Sequence, residues 1–304
     1  MNENHKSAAT GERLLELIAS FSARELAPGL YVVGTPIGNL EDISLRALRV
    51  LRQCDLIACE DTRQTQKLLN YYSLPTRTVS YHQHNEVGRS QELIRLLHGG
   101  AKIALVSDAG MPGISDPGSV LIAEALQSGI PVIPVPGPSA LISALVASGL
   151  ETESFRFLGF LPAKTGQRRS LLEQLHSAPE TLVFYEAPHR IIGTLEDVVA
   201  VFGAQRYLVI ARELTKIHEE YLRGPAAELL QLLRAREIKG EITLMLRGYN
   251  SAQPKEQSGV KQLGTRIREL IGQGTEEKAA LKAVAKEFGL SKSEAYREWQ
   301  RARK

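Results

Sequence analysis

Two carboxylates occur among three glycines and two prolines in residues 102–119, KIALVSDAGMPGISDPGS. The apolar residues 103–106 predict a strand, and a helical pattern begins again at Ser119. Asp108 and Asp116 therefore follow the end of a predicted strand, which is where open α/β sheets bind small molecules. The stretch is longer than the roughly 2–6 residues of a simple connection, so it predicts a ligand-binding loop rather than an acidic turn.

Alternating strand and helix patterns surround this loop. Between residues 29 and 149, five short runs, LYVV, LIAC, TVSY, IALV and PVIPV, alternate with segments of helical apolar spacing. Units of this kind predict a mainly parallel sheet with helices on both faces. Between residues 151 and 248, runs such as TLVFYE, RYLVIARE and EITLML predict a second, mixed sheet with helices. The KTGQRR run at residues 164–169 is expected to be a basic loop.

Composition limits the classes of protein to which this chain can belong. The 304 residues are 43% hydrophobic, which suffices for two domains with cores of their own. No apolar run approaches the roughly 18 residues of a membrane span, and residues 1–10 lack the apolar centre of a secretory signal, so we expect a cytoplasmic protein. Cys54 and Cys59 have no second pair to complete a zinc site and are expected to be reduced packing residues.

Several motifs that carry familiar chemistry are missing from the sequence. It contains no GxxxxGK(S/T) phosphate-binding loop and no complete GxGxxG fingerprint, which disfavours an NTPase and a dinucleotide-dependent oxidoreductase. It also contains no HExxH and no paired CxxC, so no metal is predicted.

Basic residues are concentrated at the carboxyl end of the chain. The net charge is only +3, yet 12 Lys or Arg and 7 Glu follow Ser251. A polar stretch around Pro254 predicts a linker, and helical patterns separated by Gly289 follow it. A helix-turn-helix pattern that ends in basic residues such as Arg297 and Arg301 favours nucleic-acid contact, with a helical hairpin used for packing as the alternative.

Six motifs occur in one order along the chain: GTPIGNLEDI, CEDTR, SDAGMPGISDPG, VPGPSA, FYEAPHR and GEITL. Together they resemble the tetrapyrrole methylase family of S-adenosylmethionine-dependent methyltransferases, over about residues 29–248. The resemblance implies two α/β domains, residues 29–150 and 151–250, with the cofactor in the cleft between them. Residues 1–28 would be a helical extension, and residues 251–304 a linker with a basic helical region. Within the family, the motifs most resemble members that methylate the ribose 2′-hydroxyl of a cytidine in 16S rRNA.

The resemblance also implies which residues hold the methyl donor. They lie on the glycine-rich loops of the first domain and at strand ends of the second: Pro36, Asp108, Ala109, Gly110, Ile114, Ser115, Asp116, Ser139, Ala140, Tyr185, Glu186, Glu241, Ile242 and Thr243. Glycine-rich loops suit this task because their backbone can approach a ligand closely. Turn geometry and strand packing would explain the same residue types without a ligand.

The acceptor side needs different groups. A ribose hydroxyl is a weak nucleophile, so a positioned base would assist its attack. Asp61, His84 and Glu86 are the catalytic candidates, with His82 and His189 as further residues at strand ends. Arginines could hold RNA phosphates, and the candidates are Arg63, Arg168, Arg169, Arg190, Arg297 and Arg301.

Two other functions remain open at this point. A methyltransferase of the same fold could act on a tetrapyrrole, and a helix-turn-helix regulator could use the body of the protein as a ligand sensor. RNA binding that weakens with salt would separate the RNA enzyme from the tetrapyrrole enzyme. For the RNA enzyme, the expected partners are 16S rRNA or the small ribosomal subunit and a second copy of the chain, without a membrane.

Overall fold

The structure, a computed structural model, describes residues 25–249, 266–272, 275–287, 295, 296 and 299. Its contacts divide the chain into two compact units, Met1–Tyr249 and Asn250–Lys304. The helix predicted within residues 1–28 lies almost entirely outside the described residues, as do Arg297 and Arg301.

A five-stranded parallel sheet forms the first half of the larger unit. Its strands are β1 (Gly29–Val33), β2 (Leu56–Cys59), β3 (Thr78–Ser80), β4 (Lys102–Leu105) and β5 (Val132–Val135). They lie in the order β3-β2-β4-β1-β5, and every neighbouring pair is parallel. The predicted parallel sheet is confirmed, because short apolar runs joined by helical crossovers pair in this way.

Helices lie in the crossovers of this sheet and after its last strand. They are a 3₁₀ turn (Leu40–Asp42), α1 (Leu45–Gln53), α2 (Thr62–Tyr71), α3 (Glu86–His98), α4 (Ser119–Gln127) and α5 (Ala140–Val146). Successive strand residues point to opposite faces, so Tyr31 packs with α1 and α2 whereas Leu30 packs with α3 and α4. Cys54 and Cys59 are free and buried in the first of these two cores, which agrees with the packing role predicted for them.

The second half of the larger unit is a mixed sheet. Its strands are β6 (Phe155–Phe160), β7 (Thr181–Glu186), β8 (Tyr207–Arg212), β9 (Glu220–Pro225) and β10 (Ile242–Leu246). In the order β6-β7-β10-β8-β9, only β6 and β7 are parallel neighbours, so the predicted mixed sheet is confirmed. Its helices are α6 (Thr165–Gln174), α7 (Ile191–Phe202) and α8 (Ala226–Arg234).

Helix α5 joins the two halves. The Ser139 hydroxyl caps its first turn by accepting the backbone N–H of Ile142 at 3.4 Å. Its apolar side chains share one core with residues of the second sheet, including Val183 and Met245. The Tyr221 hydroxyl of β9 also donates to the Ser143 carbonyl of α5 at 3.2 Å. These contacts fix the edge of the first sheet against the second.

The KTGQRR segment is not the loop that was predicted. Its residues begin helix α6, in which Arg168 is only 6% exposed. The Arg168 guanidinium contacts the buried Asp197 carboxylate of α7 at 2.6 Å. The basic run misled the prediction because one of its charges is turned inward and compensated by an acid that lies 29 residues further along.

The smaller unit contains a short helical core. Residues 266–272 are helical, and α9 covers Glu277–Glu287, within the helical pattern predicted before Gly289. Ile267, Val284 and Trp299 pack together, and the Trp299 indole N–H donates to Glu277 at 2.7 Å. In the described ranges of the chain, no helix is long and apolar enough to cross a membrane.

Candidate active site

A cavity of about 380 Å³ lies between the two sheets, at the carboxyl ends of the parallel strands. The loops after β1, β4 and β5 contribute one wall, and the ends of β6 and β7 and the start of β10 contribute the other. Because β10 is antiparallel to β7, its first residues lie at the same edge as the last residues of β7. The volume is within the range of about 300–1,000 Å³ that small-molecule sites occupy.

The loop after β4 has a fixed backbone. Thr35 and Gly110 exchange backbone hydrogen bonds of 2.9 and 3.0 Å, which tie the loop to the end of β1. The Gly113 N–H donates to the Pro117 carbonyl at 3.3 Å, closing the far part of the loop. Ser115 has a φ of 62°, a left-handed conformation that costs a residue with a side chain about 1 kcal/mol or more. Such a conformation persists only where the surrounding contacts impose it, so the loop is held in one shape.

Asp108 connects this loop to the loop after β2. Its Oδ1 accepts the backbone N–H of Asp61 at 3.1 Å. The Asp61 carboxylate caps helix α2 and contacts the guanidinium of Arg63 at 2.8 Å. Hydrogen bonds from the Arg63 side chain and backbone lower the pKa of Asp61 to about 2, so this carboxylate is a weak base.

Asp116 has the opposite electrostatic environment. Burial is the main cause that raises the pKa of its carboxyl to about 6. The carboxylates of Glu60 and Asp108 act in the same direction, whereas the Ser107 hydroxyl lowers the pKa. Burial and the charge of Asp108 also raise the pKa of Glu60. A carboxyl that titrates near neutral pH is suited to accept a proton in that range.

The other two carboxylates of the cavity have fixed partners. Glu186 accepts the Thr194 hydroxyl at 2.6 Å and the Ala187 N–H at 2.8 Å, and it pairs with Arg190 at 3.2 Å. Glu241 pairs with the Lys216 ammonium at 3.1 Å. Their side chains therefore hold the wall of the second sheet in place.

The structure brings most of the residues predicted to hold the donor to this one cavity. The lining includes Asp108, Ala109, Gly110, Ile114, Ser115, Asp116, Ser139, Ala140, Tyr185, Glu186, Glu241, Ile242 and Thr243. Pro36 is the exception, since its neighbour Ile37 lines the cavity instead. Their contact with a methyl donor stays a prediction.

Sequence reasoning missed part of the lining. The additional residues are Ile37, Met111, Phe160, Ala187, Pro188 and Leu214. Four of them lie inside the quoted motifs, one position away from residues that were singled out. Phe160 and Leu214 carry no such signal, because only the pairing of β6 with β7 and of β8 with β10 brings them to this edge.

The residues predicted as catalytic acids or bases do not line the cavity. His84 contributes instead to a separate surface depression beside Arg89 and Glu92. Glu86 lies in the first turn of α3, and Asp61 is bound to Arg63. These three assignments rested on positions at strand ends, and none of the three side chains is among those that line the cavity.

The predicted phosphate-binding arginines fall into two groups. Arg168 is buried against Asp197, and Arg190 donates to the carbonyls of Leu161 and Pro162, so neither guanidinium is available to an RNA backbone. The side chains of Arg63 and Arg169 are 86% and 50% exposed. Among the described arginines that were predicted to bind RNA, only Arg63 and Arg169 remain candidates.

We also searched the described residues for side chains that could bind a metal ion. Within the part of the chain that the structure describes, no group of three or more His, Cys, Asp or Glu side chains is arranged to hold a metal ion.

The sequence model of the Tetrapyrrole (Corrin/Porphyrin) Methylases matches residues 29–230, which span both sheets. The chain belongs to the tetrapyrrole methylase family. A relative from Halalkalibacterium halodurans, named ribosomal RNA small subunit methyltransferase I, is 47% identical over 91% of this chain and 96% of its own length. A protein of the same name from Synechocystis sp. is 44% identical over 88% of this chain and 95% of its own length.

Solved structures agree on the fold. The uroporphyrin-III C-methyltransferase from Thermus thermophilus, solved with S-adenosyl homocysteine, aligns with a TM-score of 0.52. It is 18% identical and covers 72% of this chain and 97% of its own. At that identity the likeness shows the shared fold alone.

Proposed function

We propose that this chain transfers the methyl group of S-adenosylmethionine to the 2′-hydroxyl of a cytidine ribose in 16S rRNA. The observation that carries the proposal is the convergence of five of the six motifs, all but CEDTR, on one cavity, in a chain 44–47% identical to proteins named ribosomal RNA small subunit methyltransferase I. The choice of a cytidine ribose hydroxyl as the acceptor rests on the motif resemblance.

The cavity suits a ligand with an apolar body and positive charge. Ile37, Ala109 and Tyr185 supply apolar surface, while Asp108 supplies negative charge. S-adenosylmethionine has this character, and when bound it supplies an electrophilic methyl group on a sulfonium. We assign to the loop after β4 the task of holding this cofactor, because its backbone is fixed before any ligand arrives.

An acceptor can reach the cavity from its rim. The side chains of Ile114 and Phe160 line the cavity and are 45% and 55% exposed. An exposed aromatic ring is a surface on which an unstacked base can lie, with a value of about 1–3 kcal/mol. Because Asp108 accepts the backbone N–H of Asp61, we choose the exposed Arg63, two residues further on, as the candidate for a phosphate contact.

The proposal also covers the cellular location and the oligomeric state of the protein. We include a cytoplasmic location and a homodimer, because the relevant substrate is the small ribosomal subunit and oligomers of soluble enzymes are commonly twofold symmetric.

The proposal is tested by measuring donor binding and methyl transfer with Asp108→Asn. Loss of the carboxylate should weaken S-adenosylmethionine binding at least about tenfold, which is the effect of losing about 1.4 kcal/mol. Asp42→Asn, a change at an exposed acid outside the cavity, should leave binding unchanged. Undiminished affinity in Asp108→Asn would remove Asp108 from the donor site, and methyl transfer to a tetrapyrrole rather than to ribosomal RNA would favour the small-molecule alternative.

A further inference from the structure

Four carboxylates line the cavity, and three of them already have fixed partners. Asp108 accepts the Asp61 N–H, Glu186 accepts the Thr194 hydroxyl and the Ala187 N–H, and Glu241 pairs with a lysine. The carboxylate of Asp116 differs, because no Lys or Arg within residues 25–249 pairs with it and its polar neighbour is the Ser107 hydroxyl.

We propose that Asp116 is the catalytic base, which accepts the proton of the acceptor hydroxyl during methyl transfer. The inference rests on the proposed function and deepens it. The hydroxyl oxygen forms the new bond to the methyl carbon, and the carbon–sulfur bond of the sulfonium donor breaks with its electron pair moving to sulfur. The hydroxyl proton passes to a carboxylate oxygen of Asp116, so the products are the ribose methyl ether, S-adenosylhomocysteine and a protonated Asp116.

The backbone that carries Asp116 is fixed in a way that suits a positioned base. Ser115, directly before it, has the left-handed conformation already described. At Gly118, where φ is 142°, a Cβ would lie 3.0 Å from Leu105 and 3.3 Å from the Gly113 nitrogen, so a side chain here would strain the backbone and push its neighbours apart. A base held by its backbone spends little free energy on orientation when the acceptor arrives.

The groups that face Asp116 from the surrounding elements favour its protonated form. Glu60 comes from the loop after β2, Asp108 from the same loop as Asp116, and Glu241 from the position directly before β10. Tyr185 of β7 also interacts with its charge. Burial, and then the charge of these acidic neighbours, raises the pKa of Asp116, so it binds a proton more strongly than an ordinary aspartate does.

The test compares wild-type protein with Asp116→Asn on small ribosomal subunits. We expect kcat to fall about 100-fold or more, while the calorimetric Kd for S-adenosylmethionine changes less than about threefold. The wild-type kcat should fall as pH decreases through about 6, and the residual activity of Asp116→Asn should lack this decrease. In the protein without donor, the infrared difference between wild type and variant should show a carboxyl that titrates in the same range.

Asp42→Asn provides the control for the removal of a single acid, and its rate and pH profile should match those of wild type. The inference is overturned if Asp116→Asn keeps a kcat within threefold of wild type with the same pH profile. A loss of donor affinity that accounts for the whole rate loss would also overturn it, because Asp116 would then hold the cofactor. Wild-type protein that binds the donor but methylates no RNA would overturn the proposed function and this inference together.

Discussion

Two aspartates that follow strands of the first sheet, Asp61 and Asp116, differ in basicity because their surroundings differ. Asp61 lies in an exposed ion pair, and hydrogen bonds from Arg63 lower its pKa to about 2. Asp116 is partly buried among other acids, and its pKa rises to about 6. The type of residue alone does not distinguish them, since both aspartates follow a strand of the same sheet.

The raised pKa of Asp116 predicts a stability cost at neutral pH. A carboxyl whose folded pKa lies above its unfolded value is destabilising when ionised, and one pKa unit corresponds to about 1.36 kcal/mol. Asp116→Asn should therefore increase the free energy of unfolding by about 1–3 kcal/mol at pH 8. The increase should shrink as pH falls through about 6 and towards 4, because the wild-type carboxyl is then protonated as well.

Urea unfolding at pH 8 and pH 5 measures this effect, with Asp61→Asn as the matched control. The pKa of Asp61 is lowered, so its ionised form is favoured by folding and its removal should not stabilise the protein. An Asp116→Asn variant that is less stable than wild type at pH 8 would contradict the electrostatic account of this loop.

At the scale of elements, the packing of α6 against α7 depends on a buried charge. Asp197 of α7 is 1% exposed and is contacted at 2.6 Å by both Arg168 and Arg169 of α6. The two arginines are adjacent in sequence but unequal, since one side chain is 7% exposed and the other 50%. Removing a buried partner leaves a charge that water cannot solvate.

Substitution of the two arginines should therefore have different consequences. Arg168→Met should lower the free energy of unfolding by about 3–5 kcal/mol, as is typical when one member of a buried pair is removed. Arg169→Met should lower it by less than about 1 kcal/mol, because water solvates much of that side chain. Equal losses in chemical denaturation would mean that the ion pair does not control the packing of these helices.

The sequence predicts the elements better than it predicts the orientation of single side chains. Apolar runs placed the strands of the first sheet within a residue or two, because period and flanking glycines are local signals. The site lining also followed from motifs, with Ile37 in place of Pro36. Arg168 was assigned to RNA, yet it is buried, because its partner Asp197 is distant in sequence. His84 and Glu86 were predicted to be catalytic, yet they do not line the cavity. No local signal in the sequence shows where the loop after β3 directs their side chains.

At the scale of the whole molecule, two sheets supply the two walls of one cavity. The first sheet contributes the fixed loop after β4, and the second contributes strand ends such as Tyr185 and Phe160. The smaller unit, Asn250–Lys304, is compact by its own contacts and carries the basic excess of the chain. Such a charge distribution favours a polyanionic partner.

Deletion of Asn250–Lys304 should consequently weaken binding to small-subunit RNA and reduce its dependence on salt. Each phosphate contact that is lost lowers the slope of log K against log salt by about 0.7–0.9. RNA binding measured between about 50 and 200 mM salt gives both the affinity and the slope. The truncated protein should still bind S-adenosylmethionine, which serves as the control for folding. Unchanged RNA affinity and slope would show that this unit has a packing role.

The central claim is tested most directly by transferring a labelled methyl group from S-adenosylmethionine to small ribosomal subunits from cells that lack this protein. Digestion of the RNA and mass spectrometry of its nucleosides identify the atom that is methylated. The account predicts label in 2′-O-methylcytidine with wild-type protein, and strongly reduced label with Asp108→Asn. Label on a base, or no label in RNA despite donor binding, would contradict it.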